Sequence, residues 1–89
     1  MYRQSIFSPE GLERKAKLEK MVKDAGFENL SQFSKEAGID LANLYSNLGG
    51  TWKMSLKRMF KIANTLGVPI GQIIELFYPE EYAENMKLL

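Results

Sequence analysis

The 89-residue sequence predicts an all-α domain of five helices containing a helix-turn-helix, and it allows a short sixth helix at the C-terminus. Three observations predict this class. Apolar residues recur at spacings of three and four, with no strand-like alternation, no internal repeat and no low-complexity tract. Gly26, Gly38, Gly49-Gly50, Gly67 and Pro79 fall where the apolar stripes end. The stretch Leu30 to Leu48, LSQFSKEAGIDLANLYSNL, holds two short helical patterns joined by Ala-Gly-Ile-Asp. That joint is too short for an antiparallel helical hairpin and suits two helices crossing steeply.

The elements follow in order. Residues 1–8 read as an N-terminal arm. Ser8-Pro9 opens the first helix, serine as cap and proline in the turn where no amide bond is lost. Its stripe is Leu12, Ala16, Leu18, Met21, Val22 and Ala25, and Gly26 ends it. Phe27 is expected to plug the core, and Asn29 to cap a second helix over 30–37 with Leu30, Phe33 and Ala37 inward. Gly38 stops that helix, since a left-handed C-terminal residue is cheap only for glycine. Asp40 caps the third helix, 41–48, whose Leu41, Leu44 and Leu48 share one side. Leu48 is expected to take the inward role that neighbouring Asn47 is poorly suited to fill.

Gly49-Gly50 and a loop to Met54 follow, and Ser55 caps the fourth helix. Leu56, Met59, Phe60, Ala63 and Leu66 fit one face of it, and Gly67 ends it. A fifth helix from about Pro69 buries Ile70, Ile73, Ile74 and Phe77, and Pro79 breaks it. The domain thus spans 9–78, and 79–89 is a tail or short helix. The expected core is Leu18, Val22, Phe33, Ile39, Leu44, Leu56, Phe60, Ala63 and Ile73.

From about Leu18 to Phe77 the chain resembles the lambda-repressor-like domains of the Cro and xenobiotic-response-element regulator type. Ser34 stands where that family usually has a small alanine, Gly38 at its turn glycine, and Ile39 and Leu44 at inward apolar positions. Asn64-Thr65-Leu66-Gly67-Val68-Pro69-Ile70 is close to the family's recurring "LAKALGVSLDEL" passage. The resemblance implies a transcription regulator that lays its third helix in the major groove of double-stranded DNA.

On that helix the outward face is small and polar, and the expected base-reading residues are Leu41, Ala42, Asn43, Tyr45 and Ser46. An asparagine can pair with adenine, an alanine can touch a thymine methyl, and a serine can bond to several bases. No arginine, lysine or glutamine lies there. The expected phosphate contacts are Ser31, Gln32, Thr51, Lys53, Ser55 and Lys57, at helix starts and in the basic loop where anions are favoured.

Charge supports a polarised molecule. Up to residue 66 there are eleven basic and seven acidic side chains, net +4; after it, Lys87 faces four glutamates, net −3. The apolar content after Ile70 exceeds what a short helix buries on a small domain, so a homodimer is expected, with Ile74, Phe77, Tyr78, Tyr82 and Met86 at its interface.

With no cysteine and no histidine, a thiolate or imidazole metal site is excluded and no nucleophile has a histidine base. Glu80-Glu81 diverge on a helix, so paired-carboxylate catalysis is not indicated. No enzyme and no cofactor is expected. No apolar run approaches a membrane span and the start lacks a secretory h-region, so the expected location is the cytoplasm. The competing function is an antitoxin-like module of the same fold that binds a partner protein through its apolar tail.

Overall fold

A computed structural model describes residues 8–50 and 53–87. The N-terminal residues 1–7, Thr51 with Trp52, and Leu88 with Leu89 lie outside the described residues, and with them most of the expected arm and the Thr51 phosphate contact. Among the described residues there are six helices and no strand: α1 Pro9–Asp24, α2 Leu30–Ala37, α3 Leu41–Gly49, α4 Leu56–Leu66, α5 Ile70–Phe77 and α6 Pro79–Lys87. Pro79 both ends α5 and occupies the first turn of α6, where its missing amide costs nothing.

The four polar caps read from the sequence all form. Ser8 Oγ accepts from Gly11 N at 3.1 Å, Asn29 Oδ1 from Gln32 N at 2.8 Å, Asp40 Oδ2 from Asn43 N at 3.1 Å, and Ser55 Oγ from Arg58 N at 3.1 Å. Each satisfies an amide with no partner inside its helix, worth about 1 kcal/mol.

The turn between α2 and α3 is fixed by backbone bonds. Gly38 has φ 70°, its N donates to Lys35 O at 3.2 Å, and Ile39 N donates to Ser34 O at 2.9 Å. This pair of bonds closes a helix end with a left-handed glycine and turns the next residue inward. Ile39 is accordingly buried, and Asp40 starts α3 at once. Ser34 is buried too, its hydroxyl donating to Ser31 O at 2.9 Å. A small side chain there leaves room for close helix packing, and its polar atom is satisfied.

The core gathers Leu18 and Val22 of α1, Leu30, Phe33 and Ala37 of α2, Ile39, Leu44 and Leu48 of α3, Met54 of the loop, Met59, Ile62, Ala63 and Leu66 of α4, and Ile73 and Phe77 of α5. Phe27 packs edge-on against Phe33, ring centroids 5.5 Å apart. Such edge contacts add to burial because ring edges and faces carry opposite partial charge.

Three expectations are corrected. In α4, Leu56 and Phe60 are 57% and 45% exposed, and Ile62 takes the inward place. Met59, Ile62, Ala63 and Leu66 form the buried stripe, and Arg58 Nη1 donates to Asn47 Oδ1 on α3 at 2.7 Å. Residues two before and two after Arg58 sit on the far side of the helix from it, at about 100° per residue. With Arg58 turned to α3, Leu56 and Phe60 must face away.

In α3, Asn47 is not displaced by Leu48: both are buried, because Asn47's amide finds partners. In α1 only the middle of the stripe is used, and Leu12, Ala16 and Ala25 are exposed.

Candidate nucleic-acid interface

The outward side of α3 begins with Ala42, which is exposed, followed by Asn43 and Ser46, both half-buried. The Asn43 backbone amide is used by the Asp40 cap, while its side chain is available to a ligand. Asp40 therefore has a local reason to stand at the tip of α3, as a cap. Leu41 and Tyr45 differ from the other three. Both are partly buried and pack against the core. The Lys15 ammonium of α1 lies 6.0 Å from the Tyr45 ring centroid, and Lys15 pairs with Glu19 at 3.2 Å. Tyr45 is thus turned toward α1.

The expected phosphate contacts sit on the elements around α3. Ser31 and Gln32 are exposed in the first turn of α2. Gln32 Oε1 accepts from Glu28 N at 2.6 Å, so the side chain closes the helix start and leaves its amide nitrogen as the group that can donate outward. Lys53 and Lys57 are exposed and enter none of the three ion pairs among the described residues, which all lie within α1. Ser55 accepts an amide bond as cap and keeps a hydroxyl hydrogen to give.

Ser55, Lys57, Arg58 and Lys61 line a shallow hollow of about 200 Å³ at the start of α4, with no acidic side chain among them. Helix-start amides and cations together favour an anion. The elements bearing these groups are joined, since α2 packs on both α3 and α4.

Residues 17–78 match the family model of the Cro/C1-type HTH DNA-binding domain. The chain belongs to the Cro/C1-type helix-turn-helix DNA-binding domains. Neither the curated proteins nor the solved structures gave a match. The Cro/C1-type match covers α2 and α3 with their turn, all of α4 and α5, and the second half of α1, so it contains every candidate contact named above.

Three contacts of this Cro/C1-type domain escape a reading of its sequence. Arg14 Nη1 of α1 donates to Leu48 O at the end of α3. Asn47 Nδ2 donates to Lys53 O at 3.2 Å, and Tyr78 Oη to Met54 O at 2.9 Å. Each joins residues that neither periodicity nor a local motif relates, so no local signal announces them.

Of the five expected interface residues, Phe77 is in the core and Tyr78 spends its hydroxyl on Met54. Ile74 is half-buried, Tyr82 lies against Gly71 so that a Cβ there would meet its ring at 3.6 Å, and Met86 is 48% exposed. No helix among the described residues is long and apolar enough to cross a membrane, and no group of three acidic side chains among them is placed to hold a metal ion.

Proposed function

We propose that the chain is a sequence-specific DNA-binding transcription regulator that reads the major groove with α3 and acts as a homodimer. One observation carries the reading: α3 presents Ala42, Asn43 and Ser46 on a helix fixed at its start by the Gly38 turn and the Asp40 cap. Beside it, Lys53 and Lys57 are exposed cations that pair with no carboxylate among the described residues. Base edges are met by the small polar face, and phosphates by Ser31, Gln32, Lys53, Ser55 and Lys57. Affinity then comes mainly from the backbone contacts and depends on salt, while Asn43 carries most of the discrimination.

A dimer follows from the need to place two reading helices one DNA turn, roughly 34 Å, apart. The surface it would cover includes Ile74, Tyr82 and Met86. Leu56 and Phe60, one turn apart on α4 and both open to solvent, are assigned to the dimer as well.

A gel shift against a random-sequence duplex pool at low and moderate salt tests the reading. Retention at low salt, weakened at moderate salt, with recoverable enriched sequences supports it. No retention at low salt would instead favour the partner-protein reading, with these same apolar side chains as the docking surface.

A further inference from the structure

Residues 48–55 leave α3 and enter α4, carrying Lys53 and Ser55 of the candidate interface. Three backbone carbonyls at the ends of this connection are bound by side chains. Arg14 of α1 holds Leu48 O, Asn47 of α3 holds Lys53 O, and Tyr78, just after α5, holds Met54 O. Asn47 is itself held by Arg58 of α4. Met54, between the two candidate contact residues, is buried.

Leu48 and Met54 are buried, so their carbonyls need partners inside the protein. The ties to Lys53 O and Met54 O also fix the backbone between Lys53 and Ser55. Contact groups pre-set in this way lose less freedom when a ligand arrives.

We propose that Tyr78 is a positioning residue for the DNA-backbone contact: its hydroxyl fixes the Met54 carbonyl and so holds Lys53 and Ser55 where they meet a phosphate. Tyr78 touches no DNA itself. The inference rests on the DNA-binding reading above, and it assigns a part in binding to an α5-end residue that the sequence presents only as an apolar tail position.

A double-mutant cycle tests it, using the full chain and the best duplex recovered from the random pool. Tyr78→Phe keeps the ring and removes one hydrogen bond, so thermal unfolding should remain a single transition. Its affinity should fall about three- to tenfold, the scale of one hydrogen bond converted to binding. The loss should be similar on specific and non-specific duplexes, and the salt slope should become shallower. In a Lys53→Ala background, Tyr78→Phe should cost little more, because the group it positions is gone.

The proposal is overturned if Tyr78→Phe binds like the parent at both salts, as a purely stabilising hydroxyl would. It is also overturned if the two losses add in full, since Tyr78 would then act independently of Lys53. Failure of the parent chain to bind any duplex at low salt is a separate result, which removes the DNA-binding reading and this inference with it.

Discussion

Arg58 donates to Asn47 across the junction of α3 and α4 at 2.7 Å, on the side of α4 opposite to the exposed Leu56 and Phe60. Asn47 is only 4% exposed, so the amide is withdrawn from water and depends on the protein for its partners. Removing the guanidinium in Arg58→Ala should therefore destabilise the fold by about 1–3 kcal/mol, the cost of stripping a buried polar group of a partner. Urea denaturation of parent and variant measures it. A difference within about 0.5 kcal/mol, as for an ordinary surface substitution, would show that the bond does not hold α4.

Gly38 offers a backbone test. It sits at φ 70°, and a Cβ added there would meet nothing within 4 Å. Gly38→Ala should thus cost only the left-handed backbone strain, about 1–2 kcal/mol, with α2 and α3 otherwise intact. Thermal unfolding with a helical circular-dichroism signal kept at low temperature is the expected result. An unchanged midpoint would mean that the turn between the two helices is not held in this conformation.

The two kinds of DNA contact should separate by mutation. Lys53→Ala is expected to weaken binding to all duplexes alike and to lower the salt slope by roughly one, since a phosphate contact carries little sequence information. Asn43→Ala is expected to relax preference at one base position, by about 1–3 kcal/mol. Titrations against a set of single-base variants at several salt concentrations distinguish the two. Parent-like behaviour of both variants would take this face out of DNA recognition.

The homodimer is tested by charge. Phe60→Glu places a carboxylate in the exposed apolar pair of α4 and should leave the helical signal unchanged, because the residue is 45% exposed in the single chain. Sedimentation at micromolar concentration should show a dimer for the parent and a monomer for the variant. Met86→Glu reports in the same way on the end of the tail. A monomeric parent, or a dimer that survives both substitutions together, would discard these surfaces as the interface.

What was legible in the sequence was local. Ser8, Asn29, Asp40 and Ser55 cap their helices because each carries a side-chain oxygen within reach of an amide three residues on. The turn at Gly38 follows from one residue's conformational freedom. The rotation of α4 was not legible: its apolar residues cover a wide arc, so Leu56–Met59–Phe60 and Met59–Ile62–Ala63 both make acceptable stripes. The second stripe is the buried one, and it goes with a contact between Arg58 and Asn47, eleven residues apart. Tyr45 was similarly undetermined, since on α3 alone it stands at the flank, and its contact with Lys15 of α1 has no sequence spacing. Tyr78 carried no signal for its role, because a hydroxyl's acceptor 24 residues away has no sequence spacing. The family resemblance supplied the place of α3 in the helix-turn-helix, not the state of its individual side chains.

The last helix has a practical consequence. α6 contains no buried residue and meets the rest mainly through α5, with the Tyr82 ring against Gly71. In the monomer, its amides should therefore exchange with solvent at an opening cost well below that of the core, and a protease should find its bonds long before those of α1 to α5. Limited digestion ought to leave a resistant fragment ending near Tyr78. By the same physics this end of the chain is where a fluorophore or affinity tag can be joined with the least disturbance of the packed helices.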